Sequence, residues 1–330
     1  MNTSVARLAD TLLEDTVVGS FSRIGLSVRS RLLPEFAPDD RPSLTGRVVL
    51  ITGATSGIGR SAATALAGLG GAVHFLARDA GRAARAQRQI AADSGNDAVS
   101  YGLADLDDLD SVRAFARDFR GSHDRLDVLV HNAGTIHQDY RATDAGTELT
   151  VAGQVIAPFV LTSLLLPLLR SAAPSRVITV SSGGMYTQRL DLETLQLPPA
   201  GYKGATAYAR AKRAQVALSR EWGRRLAGTG VAFHAMHPGW VDTPGLVTSL
   251  PGFHRLARPI LRSAEQGADT VVWLATADPG LLGSGRFWHD RRRRPEYLLP
   301  WTRETDPSAP ARLWDCIAES AGLAIGEYQD

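Results

Sequence analysis

The chain has 330 residues, 44% hydrophobic and 21% charged, with a formal net charge of +2 at pH 7. This is the balance of a globular protein with one large core or two small ones, and the charge is too small to call for a polyanionic partner, so nucleic acid is not expected as one. The single cysteine, Cys316, excludes an intrachain disulfide, and a cytoplasmic location is expected.

In chain order, residues 1–44 read as an N-terminal extension, an amphipathic helical arm ending near Pro34 with Arg23, Arg29 and Arg31 beside Leu26, Val28, Leu32 and Leu33. Asp10, Glu14 and Asp15 interrupt any apolar stretch there, which argues against a secretory leader. A packing arm is favoured over peripheral contact with a membrane. Short β-branched or apolar runs follow at 48–51, 72–76, 99–102, 126–131, 176–181, 231–236 and 286–289, separated by helical stretches. That alternation predicts an α/β fold: a single doubly wound Rossmann-type domain over 45–291, with a seven-stranded parallel sheet and helices on both faces. Within it, 149–169 is free of charge and long enough to span a membrane. Gln154, Pro158 and Pro167 inside the run, and its place between two strands, favour a buried or interface helix. Residues 292–330 form a C-terminal extension, with a packing helix over 310–321 that carries Leu313, Trp314 and Ile317.

The first chemical motif is Thr52-Gly53-Ala54-Thr55-Ser56-Gly57-Ile58-Gly59, directly after the first strand and opening the first helix of the sheet. Gly53 permits the tight turn, Gly57 lets backbone approach a pyrophosphate, and Gly59 allows helix to pack on strand. The helix N-terminus supplies amide donors, so the motif predicts a dinucleotide site. At the end of the second strand an acid would bind the ribose 2′-hydroxyl of NAD, but the chain reads Ala77-Arg78. With the acid missing and a planar cation present, NADP(H) is preferred over NAD(H); the competing reading gives the acidic role to Asp79. No metal site is expected.

Tyr208 and Lys212 lie four apart on a predicted helix and share a face. The nearby ammonium is expected to lower the phenol's pKa and make Tyr208 a general acid and base. Ser182, at the end of the fifth strand, is placed to hydrogen-bond a carbonyl oxygen as charge develops on it.

Together these residues resemble the short-chain dehydrogenase/reductase (SDR) superfamily over roughly 46–300, with closest likeness to its member-12 group near the retinol-dehydrogenase-like branch. Ser181-Ser182-Gly183-Gly184-Met185, the run from His237 to Gly245 with Pro251-Gly252-Phe253-His254, and Gly285-Arg286-Phe287-Trp288 carry the closer likeness. The resemblance implies that Asn132-Ala133-Gly134 supports the sheet and lines the adenosine side, and that Asp105 and Leu106 meet the adenine. It further implies that Pro238, Gly239, Val241 and Thr243 belong to the segment meeting the nicotinamide, and that Lys212 with Tyr208 contacts the cofactor. The family's catalytic asparagine, which holds a relay water to the lysine, falls on Gln154. Its extra methylene predicts reduced rather than abolished turnover.

Leu246, Val247, Leu250, Phe253, Leu256 and Ile260, with Met185, Tyr186 and Leu190 from a second variable segment, predict a lid for a small hydrophobic carbonyl or alcohol. The same residues could instead pack the lid or a subunit interface. Relatives pair helices equivalent to 149–169 and 205–227, so a homodimer or homotetramer is expected. The function read from all this is an NADP(H)-dependent oxidoreductase. The alternatives are a catalytically weak NADP-binding regulatory protein and, from the four arginines Arg291, Arg292, Arg293 and Arg294, a patch for nucleic acid or acidic lipid.

Overall fold

The structure is a computed structural model that describes residues 3–14, 16–36 and 42–323. After the arm helices α1 (Thr3–Glu14), α2 (Val17–Phe21) and α3 (Arg23–Leu32), strands and helices alternate. They are β1 (Val48–Thr52), α4 (Gly57–Gly68), β2 (Ala72–Ala77), α5 (Ala80–Ser94), β3 (Val99–Leu103), α6 (Leu109–Ser122) and β4 (Val128–His131). Next come the long helix α7 (Leu149–Ser171), β5 (Ser175–Val180), α8 (Gly204–Arg225) and β6 (Val231–Met236). The short helices α9 (Pro244–Ser249) and α10 (Pro251–Ala257) precede α11 (Ala264–Thr276), α12 (Pro279–Leu282), β7 (Arg286–His289), β8 (Arg292–Arg293) and α13 (Ala309–Ser320).

The strand order is β3-β2-β1-β4-β5-β6-β7-β8. It reverses direction between β1 and β4, and in such sheets ligands bind beyond the carboxyl ends of the strands at that switch point. Strands such as Val-Val-Leu-Ile-Thr are apolar because helices cover both their faces. One face packs α6, α7, α8 and α13, with Leu165, Phe233 and Trp314 in its core; the other packs α4, α5 and α11, with Leu66, Phe75 and Val271.

The sheet departs from the seven parallel strands expected: it has eight and is mixed, because β8 pairs antiparallel with β7 through Trp288 with Arg293 and His289 with Arg292. The hairpin turns on Asp290 and Arg291, both left-handed at φ +50° and +56°. Such turns ordinarily advertise themselves by Asn-Gly or Asp-Gly. Here side-chain bonds hold the conformation instead: Asp290 is bound by Arg29 and Arg262, and Arg291 by Asp269 and the Glu35 carbonyl. A two-residue strand after a turn of this kind leaves no pattern in the sequence.

The arm is also more broken than one helix. Thr16 caps α2 by accepting from Gly19 N–H at 3.1 Å, and Ser22 separates α2 from α3 in extended backbone. Arg29 does not snorkel to solvent: its side chain is fully buried and bonds Asp10, Glu14 and Asp290. Asp10 also receives Arg292 and Arg294. Three of the four consecutive arginines are therefore engaged with acids of the arm or of α11, and none of those three needs Glu296, which pairs with Arg220.

Among the described residues α7 is the one helix long and apolar enough to cross a membrane. It lies in the core, with Val160, Leu161 and Leu165 wholly buried. On the same side, Trp314 of α13 packs at 4.7 Å from Phe159 of α7 and 4.3 Å from Trp222 of α8.

Candidate active site

Six carboxyl strand ends bring the sequence-derived residues together. After β1, Gly53 takes φ +72°, and a Cβ there would fall 2.9 Å from Ala133 Cα. A Cβ on Gly59 would meet Asn132 Nδ2 at 2.3 Å and the Gly53 carbonyl at 2.4 Å. These positions require glycine because the turn is clamped: Asn132 Nδ2 donates to the Thr52 and Gly53 carbonyls at 3.0 and 3.1 Å. Thr52 Oγ1 in turn accepts from the Asn132 and Ala133 amides, both at 3.0 Å. The Asn-Ala-Gly segment thus acts as a brace for the glycine turn. Ser56 begins α4 with no side-chain cap, so the first-turn amides stay available to an anion. Amides at a helix start, with backbone that no Cβ obstructs, fit the pyrophosphate of a dinucleotide.

At the end of β2, Arg78 is exposed, while the Asp79 carboxylate caps α5 by accepting from Arg82 N–H at 2.6 Å. Arg82, not singled out from the sequence, reaches back so that its Nη2 lies 3.4 Å from Thr55 Oγ1. Its spacing in a helix of many arginines gave no hint of that. After β3, Asp105 accepts from Asp107 N–H, and Leu106 packs against the core.

On the other side of the switch point, Thr243 closes on the glycine turn: a Cβ on Gly57 would lie 3.2 Å from its Cγ2. Thr243 Oγ1 caps α9, Val241 is buried beside Arg262, and the Pro238 carbonyl accepts from Arg262 Nη1 at 3.2 Å. Gly239 adopts φ +81° directly over that guanidinium.

The candidate catalytic residues sit between these walls. Ser182 follows β5, accepts from the Gly184 amide at 3.3 Å and lies close enough to the Tyr208 phenol to hold its pKa down. Lys212 Nζ lies 5.3 Å from the Tyr208 ring centroid and is buried, donating to the Val180 carbonyl at 3.0 Å and to Gln215 Oε1 at 3.1 Å. Ser181, named from the sequence only for the family likeness, anchors this turn of α8 by donating to the Lys212 carbonyl. The expected lowering of the phenol by lysine is not what the site does. Burial pushes Tyr208 above its ordinary value and Ser182 opposes that rise, while the Lys212 ammonium donates away from the phenol, to the Val180 carbonyl and Gln215. Burial also brings Lys212 down to about 7.

Gln154 lies in a π turn, Ala152–Ile156, that interrupts α7. Its Nε2 donates to the Thr135 carbonyl at 2.7 Å, and its buried Oε1 has no hydrogen-bond partner among the described residues. A Cβ on Gly134 would lie 3.0 Å from this Oε1 and 3.2 Å from Lys212 Nζ, which places the glutamine amide beside the lysine.

The second lid segment is corrected. Met185, Tyr186 and Leu190 are buried; the first two pack with Phe21, Val216 and Phe287, and the Tyr186 hydroxyl donates to the Pro295 carbonyl. Met185 and Tyr186 fill a core beneath the arm, and Leu190 belongs to the core on the α7 and α8 face. In the first segment Phe253 packs edge-on against Trp240 at 5.1 Å, while Val247 and Leu256 are exposed.

Residues 47–250 match the short chain dehydrogenase family. Over 289 residues the chain is 40% identical to dehydrogenase/reductase SDR family member 12 of Bos taurus, covering 87% of this chain and 90% of that protein. It is 37% identical over 298 residues to retinol dehydrogenase 14 of Mus musculus, covering 84% and 86%. The fold is similar to that of the Pseudomonas aeruginosa RhlG/NADP active-site complex, with 28% identity, a TM-score of 0.61 and coverage of 74% and 94%. The chain is therefore an oxidoreductase of the short-chain dehydrogenase/reductase family, in the branch that resembles member 12.

Proposed function

We propose that the protein is an NADP(H)-dependent reductase or dehydrogenase acting on a hydrophobic carbonyl or alcohol. The convergence of Ser182, Tyr208 and Lys212 at the carboxyl ends of β5 and α8's first turns carries this reading. The bound nicotinamide would exchange a hydride with the substrate carbon. Tyr208, kept neutral by burial, moves the proton at the substrate oxygen, and Ser182 orients both by hydrogen bonding. Lys212 holds the cofactor side of the phenol.

Gly53, Gly57 and Gly59 with the α4 amides would hold the pyrophosphate, and Thr55, Ser56 and Ile58 line the same turn. Support for the 2′-phosphate comes from Arg78 at the end of β2 and Arg82 in the first turn of α5, where the nearest acid, Asp79, is spent as a helix cap. The RhlG complex contains NADP. A hydrophobic substrate is supported by Trp240 and Phe253 with the apolar α9 and α10, and by relatives named for retinol. Homo-oligomerisation through 149–169 and 205–227 would have to use surface that α13 leaves free.

The deciding experiment is fluorescence titration with NADPH and NADH, followed by cofactor oxidation across hydrophobic aldehydes and ketones, with Tyr208→Phe as control. Tighter NADPH binding, with turnover lost only in the control, is expected. Failure to bind either cofactor overturns the reading, and binding without any turnover favours a regulatory protein.

A further inference from the structure

Gln215, one turn beyond Lys212 on α8, is only 5% exposed and spans two groups. Its Oε1 accepts from Lys212 Nζ at 3.1 Å, and its Nε2 donates to the Gln154 main-chain carbonyl at 2.6 Å. The amide's orientation follows from chemistry, since an ammonium only donates and a carbonyl only accepts. The carbonyl it meets belongs to the π turn of α7, so the carboxamide ties the lysine's helix to the turn that carries Gln154.

Gln215 also lines an interior cavity of about 30 Å³ together with Gln154, His131, Thr162 and Ser219, whereas Lys212 does not line it. The cavity is lined mainly by apolar side chains such as Val155, Phe159, Leu218 and Trp222 and holds room for about one water, and His131 Nδ1 and Ser219 Oγ, on two of its lining residues, have no hydrogen-bond partner among the described residues. The carboxamide is thus the group in contact with both the ammonium and this cavity.

We propose that Gln215 is a positioning residue for the proton chemistry at Lys212: it bridges the ammonium to the Gln154 carbonyl, where a solvent molecule could otherwise stand, and governs how readily the lysine gives up its proton. This rests on the reading of Lys212 as part of the reaction centre. The titratable groups that face Lys212 are Tyr208 on its own helix and His131 on β4. Burial and the neighbouring lysine charge hold His131 down to about 3, so it stays neutral. Among the described residues no carboxylate pairs with Lys212, and Gln215 is its one side-chain acceptor. An acceptor bonded to the charged form favours that form, so this amide is the available lever.

The sequence makes the test direct, for the whole chain contains two lysines, Lys203 and Lys212. In cofactor-free protein labelled with ¹³Cε-lysine, NMR titration yields two curves, and exposed Lys203 is the internal reference. Gln215→Leu fills similar space without an acceptor and should lower the Lys212 midpoint by about one pH unit; Gln215→Glu sets a carboxylate there and should raise it by at least as much. Lys203 should not move. The alkaline limb of the turnover profile should shift in the same two directions. A Lys212 midpoint unmoved in a folded Gln215→Glu protein overturns the proposal, and that variant decides alone if the leucine variant does not fold. Because the titration needs no cofactor or substrate, its outcome is separate from failure to find a reducible carbonyl, which would overturn only the proposed function.

Discussion

Replacing Asp290 by asparagine tests whether the buried ion cluster holds the arm on the sheet. Arg29 Nη1 lies 2.7 Å from Oδ2, and Arg262 Nη1 and Nη2 lie 2.6 and 2.9 Å from Oδ1 and Oδ2. Asparagine has the same shape and tolerates the left-handed φ of +50°, so the change removes charge and little else. Arg29 would keep Asp10 and Glu14. Arg262, 1% exposed, would lose its carboxylate and keep the carbonyls of Ser20, Ser22 and Pro238. Stranding a buried cation in this way costs about 3–5 kcal/mol, a large part of the ~5–15 kcal/mol by which a folded domain is stable. Urea unfolding at pH 7 should show that loss. Asp290 is held far below the usual carboxylate range by His289, Arg262 and Arg29, which together outweigh burial. Its stabilisation is therefore complete above the unfolded value of about 4 and is lost as pH falls toward the folded one. The gap between the two proteins should shrink below about pH 4. A loss under about 1 kcal/mol at pH 7, far short of a broken buried pair, or a gap that does not change with acid, would refute the reasoning.

Arg78→Ala and Arg82→Ala should each weaken NADPH binding by about 10- to 100-fold, the worth of a charge-assisted hydrogen bond, while leaving NADH nearly unaffected in titration. Equal losses for both cofactors would remove these arginines from 2′-phosphate recognition. Trp314→Ala should cost about 3–5 kcal/mol in thermal or urea unfolding, since the ring is 2% exposed between Phe159 and Trp222. A near-neutral result would show that α13 is dispensable to the core. Gln154→Asn removes the extra methylene that sets this amide apart from the family's asparagine, so turnover should rise by about 2- to 10-fold, the worth of one neutral hydrogen bond. Unchanged turnover would deny the glutamine any special part.

Features confined to a short stretch were legible before any coordinates. The turn at 52–59 needs glycine for local backbone reasons, and Tyr208 and Lys212 meet because four residues make one helical turn. Buried parallel strands announce themselves by β-branched runs. Contacts that span the chain left no such trace. Arg29 and Asp290 are 261 residues apart, and an arginine between leucines on a short helix reads as a solvated one until its partner is placed. Met185 and Tyr186 were correctly apolar, but hydrophobicity alone does not say whether a side chain faces a substrate or the underside of an arm. Gln215 stood in view three places after Lys212, yet its meaning depends on a carbonyl presented by a π turn 61 residues earlier.

A ribosome delivers the partners of the arm in an awkward order. Helices α1 to α3 emerge first, carrying Asp10, Glu14 and Arg29, and the residues that bury them, Asp290 and Arg294, come out close to last. Trp240 N–H, which donates to the Phe21 carbonyl at 2.7 Å, also arrives late. The glycine turn and the Tyr208 helix can assemble on the growing chain, whereas the wall formed by Trp240 and His237 against Phe21 must wait for the final hairpin. Completion of the wall at Trp240 and His237 is thereby tied to synthesis of the final hairpin. A polypeptide cut short before β8 would carry every candidate catalytic residue and still lack Arg292 and Arg294, which its first helices settle against.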